Sequence, residues 1–204
     1  MISDCYVVGI CGGTCSGKTT LAKKLHDNLE KQSNYLSQDS YYIDQSYKTD
    51  KELKQHNFDH PESVDLDLLH EHILRLKDNK EIQVPNYCFK THSRLPITST
   101  VCPSRIIILE GILIFSHEKL RDALDLRVFV DVDADIRLIR RIKRDCVERD
   151  RSTESVIEQY LHTVKPMHDK YVESYKNTSD YIVVDKTFSQ QEIELKKMLV
   201  NRID

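Results

Sequence analysis

Short apolar runs alternate along the chain with longer stretches in which apolar residues recur every three or four positions. Tyr6 to Ile10 is the first run. It enters Cys11-Gly12-Gly13, and from there to Lys31 the residues Leu21, Ala22, Leu25 and Leu29 keep helical spacing, so the pattern predicts strand, glycine turn, helix. Asn34 to Ser37 predicts a second short strand. Gln38 to Pro61 is polar, rich in Tyr, Asp and His and without sustained period, which predicts a functional loop with some local helix. Val64 to Leu76 puts Leu66, Leu69, Ile73 and Leu76 on one helical face. Ile82 to Val101 alternates in two pieces around a polar bend, which predicts a β-hairpin set apart from the main sheet. Arg105 to Glu110 and Leu126 to Val132 are apolar runs of the kind buried on both faces of a parallel sheet. Helical patterns cover Asp135 to Glu148 and Ser152 to Lys165, stopping at Pro166, with a further helix leading to Asp180. Tyr181 to Val184 and Ser189 to Val200 predict a last strand and a last helix. Repeated alternation of this kind predicts an α/β fold, a parallel central sheet flanked by helices on both faces.

Composition adds limits. The 204 residues suit one domain spanning 1–204. With 39% hydrophobic and 31% charged residues, the chain has the profile of a globular protein. Its longest aliphatic stretch, Ile106 to Leu109, stops at Glu110, far short of the roughly 18 to 20 apolar residues of a membrane span. Met1-Ile2-Ser3-Asp4 does not read as a secretory leader, so a cytoplasmic protein is expected. A net charge of −3 offers no broad basic surface to a nucleic acid. Six cysteines show neither a Cys-x-x-Cys pair nor zinc-finger spacing; they read as core or loop thiols, the alternative being a redox pair of Cys11 and Cys15.

Gly12-Gly13-Thr14-Cys15-Ser16-Gly17-Lys18-Thr19 fits G-x-x-x-x-G-K-[ST] between a predicted strand and a predicted helix, with Thr20 next along the helix. Glycines let backbone N–H groups wrap a phosphate, the helix N-terminus adds its positive dipole end, and Lys18 adds a full charge. The Thr19 hydroxyl is left to hold Mg²⁺. None of the five glycines has an Asp three positions before it, and no Asn-Lys-x-Asp segment occurs. A GTPase switch is therefore disfavoured and ATP is the expected donor. Glu110 ends an apolar strand, where a P-loop fold supplies its second Mg²⁺-organising acid. Asp39 follows the second predicted strand, where open α/β sheets place their ligands; it could take the proton of an attacking hydroxyl or join the metal site, and it could also be a turn residue.

Ser37-Gln38-Asp39-Ser40-Tyr41-Tyr42, Asn57-Phe58-Asp59-His60-Pro61 and Leu109-Glu110-Gly111-Ile112-Leu113 follow the P-loop in the order typical of uridine kinases. From about Tyr6 to Val184 the sequence resembles the uridine/cytidine kinase family of P-loop kinases. The resemblance implies transfer of the ATP γ-phosphoryl to the 5′-hydroxyl of uridine or cytidine, with Asp39 as base and Lys18 as phosphate clamp. Asp59 would bind both ribose hydroxyls, which would penalise a deoxyribose. Tyr87, Phe89 and His92, from the hairpin (about 81–102), would surround the base, and Phe58 would join them. A lid, about 137–160, would bring Arg141, Arg151 and Gln159 to the nucleoside and Arg144 and Arg149 to phosphate; on its own, the run Arg137, Arg140, Arg141, Lys143 and Arg144 reads as a solvated helix face. A homotetramer and feedback inhibition by CTP or UTP are implied by the resemblance only.

The chain departs from the family pattern at Cys88, where relatives commonly have Asp, at Asp150, commonly Gly, and at Asp185-Lys186-Thr187-Phe188, where a Pro-Arg-Gly type of segment borders the adenine. Two rival readings are a P-loop kinase for another hydroxyl acceptor, such as nicotinamide riboside or a sugar phosphate, and a nucleotide-binding regulator with little chemistry.

Overall fold

The apolar runs pair as strands. In chain order these are β1 (Tyr6–Gly12), β2 (Ser33–Ser37), β3 (Ile82–Cys88), β4 (Ser93–Val101), β5 (Ile106–Glu110), β6 (Leu126–Asp131) and β7 (Tyr181–Val184). The computed structural model describes residues 5–29 and 32–202, so the leader reading on Met1 to Asp4 and the helix boundary at Lys31 fall outside the described residues. A five-stranded parallel sheet has the order β2-β5-β1-β6-β7, and β3 and β4 form a separate antiparallel hairpin. The helices are α1 (Lys18–Leu29), α2 (Asp50–Gln55), α3 (Leu66–Lys77), α4 (Glu118–Asp122), α5 (Ala134–Glu148), α6 (Thr153–Gln159), α7 (Lys165–Tyr171) and α8 (Phe188–Val200).

The period of two along each strand splits the core between the two sheet faces. Val7, Ile107, Leu109 and Phe129 meet Leu69, Ile73 and Leu76 of α3 on one side. Val8, Ile10, Ile106, Ile108, Val128 and Val130 meet Leu21 and Leu25 of α1 and Leu195 and Leu199 of α8 on the other. Each large aliphatic side chain so buried stabilises the fold by about 1.5–3 kcal/mol. In the register, Ile10 and Ser37 both lie opposite Glu110. The carboxyl ends of β1, β2 and β5 therefore open side by side, and the segments that follow them face a common cleft.

Two expectations need correction. Pro166 does not stop the helix before it: Tyr160–Val164 forms a π-helical turn in which the Lys165 N–H reaches the Tyr160 carbonyl, and α7 follows directly with the proline in its first turn. The wider turn suits a residue that has no N–H and whose ring would strike the carbonyl of the preceding turn. No long helix then runs to Asp180; α7 ends at Tyr171 and a 3₁₀ segment spans Glu173–Thr178. The five-residue α4 is too short to carry a periodic signal and was not expected. Within the hairpin the register shifts between Pro85 and Asn86, where proline has no N–H to give to the ladder.

Candidate active site

The loop from Gly12 to Gly17 turns back on itself through three residues in the left-handed region, Gly12 (φ 152°), Cys15 (φ 57°) and Gly17 (φ 96°). Glycine adopts this conformation freely, whereas an L side chain such as that of Cys15 strains by about 1–2 kcal/mol. The Ser16 N–H donates to the Gly13 carbonyl at 3.1 Å, closing the turn. A Cβ at Gly13 would run into the guanidinium of Arg137, which packs directly on the loop. The Ser16 hydroxyl and Arg137 Nη1 are both buried beside this loop without a hydrogen-bond partner. Buried donors left open in this way suit an anion that arrives from outside. Thr14, Lys18 and Thr19 are part-buried, while Thr20 points to solvent from the first turn of α1.

Glu110 is 3% exposed. Its carboxylate accepts hydrogen bonds from Tyr35 Oη at 3.0 Å and Ser37 Oγ at 2.9 Å, and Lys18 Nζ lies 4.0 Å from its other oxygen. These partners hold Glu110 inside the cleft and away from bulk solvent. Asp39 stands on a 3₁₀ turn, Gln38–Tyr41, capped by Ser37, whose hydroxyl accepts the Asp39 N–H at 3.3 Å. Gln38 is fully buried and accepts the Leu113 N–H at 2.7 Å, pinning that turn to the loop after β5. Desolvation by the cleft walls, then repulsion from Glu110, push the Asp39 carboxyl above its ordinary value, while Lys18, Arg149 and Arg144 pull it down. Asp39 nonetheless has a solvent-exposed surface at the cleft mouth, so it can exchange its proton with water.

Asp59 is buried, and that burial raises its pKa against the pull of Arg141 and Lys18. Its backbone N–H is tied to Asn57 Oδ1 at 3.1 Å. Beside it, Tyr42 packs edge-on to Phe58 (centroids 6.2 Å) and Phe89 (6.0 Å) and tilted on Tyr87 (5.3 Å), while Phe58 stacks on His92 at 4.7 Å. The aromatic residues expected from the hairpin thus meet in one cluster. Tyr87 Oη and His92 Nδ1 are buried there with no partner. Arg94 of β4 joins the hairpin to the loop after Asp39: its Nε donates to the Tyr42 carbonyl at 2.9 Å, and its Nη2 to the Tyr41 carbonyl at 2.9 Å and to Asp65 Oδ2 at 3.2 Å.

A family model described as the phosphoribulokinase / uridine kinase family matches residues 7–192. The chain belongs to this family. Relatives named uridine kinase include one from Limosilactobacillus reuteri, 47% identical over 93% of this chain and 87% of the relative. Another, from Brevibacillus brevis, is 42% identical over 97% and 92%. Among solved structures, a "possible uridine kinase" from Bacillus stearothermophilus superposes with a TM-score of 0.63 at 21% identity, covering 89% of this chain and 90% of that one. Phosphoribulokinase from Rhodobacter spheroides superposes at 0.58 and 13% identity, covering 83% and 68%. These two share the P-loop kinase fold. As a member of the phosphoribulokinase / uridine kinase family, the protein is a kinase.

The basic run on α5 is solvated only in part: Arg140 and Lys143 are exposed, whereas Arg137 and Arg141 are buried. On α5 the buried positions are Arg137, Arg141 and Asp145, spaced by four, while Ile136, Ile139 and Val147 face solvent. Arg141 donates to Thr14 Oγ1 at 3.0 Å and to Gln159 Oε1 at 2.9 Å, and Arg151 Nη1 reaches the same Gln159 oxygen. Burial lowers the Arg141 pKa, with Asp59 and Asp145 opposing the shift. Arg137 Nη2 contacts His168 Nε2 at 3.1 Å, which also faces Glu173 at 3.1 Å. Arg144 is part-buried; Arg149 sits half-exposed over the Phe89 ring at 5.8 Å, so it borders the aromatic cluster as well as Asp39. Phe89 is the most open of the expected base contacts, 47% exposed.

Sequence reasoning passed over Tyr42, Gln38 and Arg137 as site-forming residues. Tyr42 and Gln38 belong to the same Ser37 to Tyr42 segment as Asp39, which was the available signal. Arg137 lies four residues before Arg141 on the same helical face, so the period of α5 pointed to it. Among the described residues no helix is long and apolar enough to cross a membrane.

Proposed function

We propose that the protein transfers the γ-phosphoryl group of ATP to the 5′-hydroxyl of uridine and cytidine, giving UMP and CMP as a step of pyrimidine salvage. One observation carries the reading. Asp39 stands on the short turn between Ser37, whose hydroxyl binds Glu110 beside Lys18, and Tyr42 of the aromatic cluster. A carboxylate so placed can take the acceptor's proton while the phosphate is held opposite. The relatives named uridine kinase support uridine as an acceptor; cytidine rests on the resemblance alone.

In this reading Gly12 to Thr20 cradle the triphosphate, with Lys18 as the clamp. Asp59 accepts hydrogen bonds from the ribose hydroxyls with Arg141 beside it. Phe58, Tyr87, Phe89 and His92 enclose the base, where the open Tyr87 hydroxyl and His92 Nδ1 have an edge to read. Arg144 and Arg149 face phosphate, and Arg151 and Gln159 hold the acceptor side. Positioning and charge stabilisation then do most of the catalytic work.

Thr19, Glu110 and Asp39 offer a hydroxyl and two carboxylates, hard oxygen donors of the kind Mg²⁺ takes. Among the described residues no cluster of three or more His, Cys, Asp or Glu forms a cage of its own. That fits an ion held largely by phosphates and water. When bound, Mg²⁺ neutralises charge on the phosphate oxygens. A cytoplasmic homotetramer completes the proposal, on resemblance alone.

The test is turnover of a panel of hydroxyl acceptors with ATP and Mg²⁺. Uridine and cytidine should be phosphorylated and 2′-deoxyuridine poorly. Good turnover of nicotinamide riboside or a sugar phosphate, with none of uridine or cytidine, would overturn the acceptor assignment.

A further inference from the structure

Asp145 is 0% exposed, an aspartate in the middle of a basic segment. Four guanidinium groups close on it from α5 and from the residues just beyond. Oδ1 receives Arg144, with both Nε and Nη2 at 2.8 Å, and faces Arg149 Nε at 3.7 Å. Oδ2 faces Arg141 Nε at 3.5 Å and Arg151 Nη1 at 3.7 Å, and makes no hydrogen bond. The Asp145 main chain takes part too. Its carbonyl accepts the N–H groups of both Arg149 and Arg151 at 3.2 Å, folding the chain after α5 back over the same carboxylate.

Four like charges in so small a volume repel one another, and in a poorly solvated site that repulsion is little screened. A single buried anion at their centre holds them together before any phosphate arrives. The two carboxylate oxygens also sort the arginines by the substrate each would meet. Oδ1 serves Arg144 and Arg149, proposed for phosphate, and Oδ2 serves Arg141 and Arg151, proposed for the nucleoside. Asp145 touches neither substrate in this arrangement.

We infer that Asp145 is a positioning residue that pre-assembles the arginines of both substrates around one carboxylate, so that the donor and acceptor halves of the site are set by the same group. The inference rests on the proposed uridine kinase reaction. Preorganised charge contributes most where it need not move as the reaction proceeds.

Asp145→Asn keeps the shape and removes the charge. Steady-state kinetics of this variant should show KM raised for ATP and for uridine together, each by about fivefold or more, and kcat lowered by about 10²-fold, the scale seen when a preorganised charge contact is lost. A merely structural role would shrink the folded fraction, lowering kcat with both KM values unchanged. That outcome, or kinetics equal to the unaltered protein, overturns the inference. Should Asp145→Asn fail to fold, Arg149→Gln, Arg151→Gln and their double variant carry the test, since both arginines are partly exposed. Sharing one carboxylate, the two should act as a unit, with the double variant losing at least fivefold less than the product of the single losses; simple multiplication of the losses overturns the inference. The unaltered protein is assayed beside them. If it does not turn over uridine, the proposed reaction fails, and titration calorimetry with ATP alone still decides the donor half: an unchanged affinity in Asp145→Asn, or failing that in Arg149→Gln, counts against Asp145.

Discussion

Arg94→Met removes the link between the hairpin and the loop that carries Asp39 while keeping the length of the side-chain stem. Three hydrogen bonds go with the guanidinium, to the Tyr41 and Tyr42 carbonyls and to Asp65, whereas the Arg94 N–H retains its bond to Asp44 at 2.8 Å. Hydrogen bonds to a charged group are worth about 1.5–3 kcal/mol each when buried. The Arg94 and Asp65 side chains are 27% and 32% exposed, which discounts each bond to about 1 kcal/mol and the sum to about 2–3 kcal/mol. For a chain of this size that lowers Tm by roughly 5–10 °C. Function should divide along the same line. Tyr87 and His92 lie on the hairpin so loosened, which stays tied to the loop through Asp44 and Gln45, whereas the phosphate loop is untouched. KM for uridine should therefore rise about tenfold, the equivalent of 1.4 kcal/mol, with KM for ATP within twofold of normal. Scanning calorimetry and initial-rate kinetics read both effects. Equal rises in the two KM values, or a Tm change under 1 °C, would refute the assignment of Arg94 as the link.

Asp39→Asn should lower kcat by about 10²-fold or more with uridine binding retained, as expected for loss of a general base. In the metal-free protein the Asp39 carboxyl, followed by NMR titration, should titrate above the ordinary aspartate value of 3.8, because desolvation and then Glu110 disfavour its charged form; a midpoint at or below 3.8 refutes that account of its surroundings. Asp59→Ala should weaken uridine binding strongly and leave ATP binding little changed, by titration calorimetry; equal weakening would mark a structural role. Because burial raises the Asp59 pKa, its stabilising contribution is present below 3.8 and lost as pH rises through its folded pKa, so Asp59→Asn should raise Tm at pH 7 relative to the parent and do so less at pH 4. Asp150 holds a left-handed φ of 52°; Asp150→Ala should cost about 1 kcal/mol and Asp150→Gly nothing or less, in urea melts.

The strand positions were legible because burial on both faces writes an unbroken apolar run, as in Ile106 to Leu109, and the phosphate loop because its chemistry is local in sequence. Helix ends were less so. Pro166 carries a strong local stop signal, yet a π turn, which depends on packing around Tyr160 and Val164, lets the chain continue helically. The site was legible where one segment holds all its parts and obscure where contacts cross the chain. Tyr42 meets Phe89 only because the hairpin folds over it, and Arg137 reaches Gly13 from a helix more than a hundred residues away. Charge spacing on α5 could not reveal which side faces inward, since the usual rule buries the apolar one.

That inversion has a consequence for motion. None of the apolar residues of α5 belongs to either core cluster; the helix is held from within by Arg137, Arg141 and Asp145 and shows Ile139 and Val147 to water. Ions buried this deeply are little screened by dissolved salt, which reaches the network only at its more open members, Arg149 and Arg151. Amide hydrogen exchange should therefore quicken with added chloride at Arg149 and Arg151, where the chain leaves this helix, while the Arg137 to Asp145 stretch and the central strands stay protected.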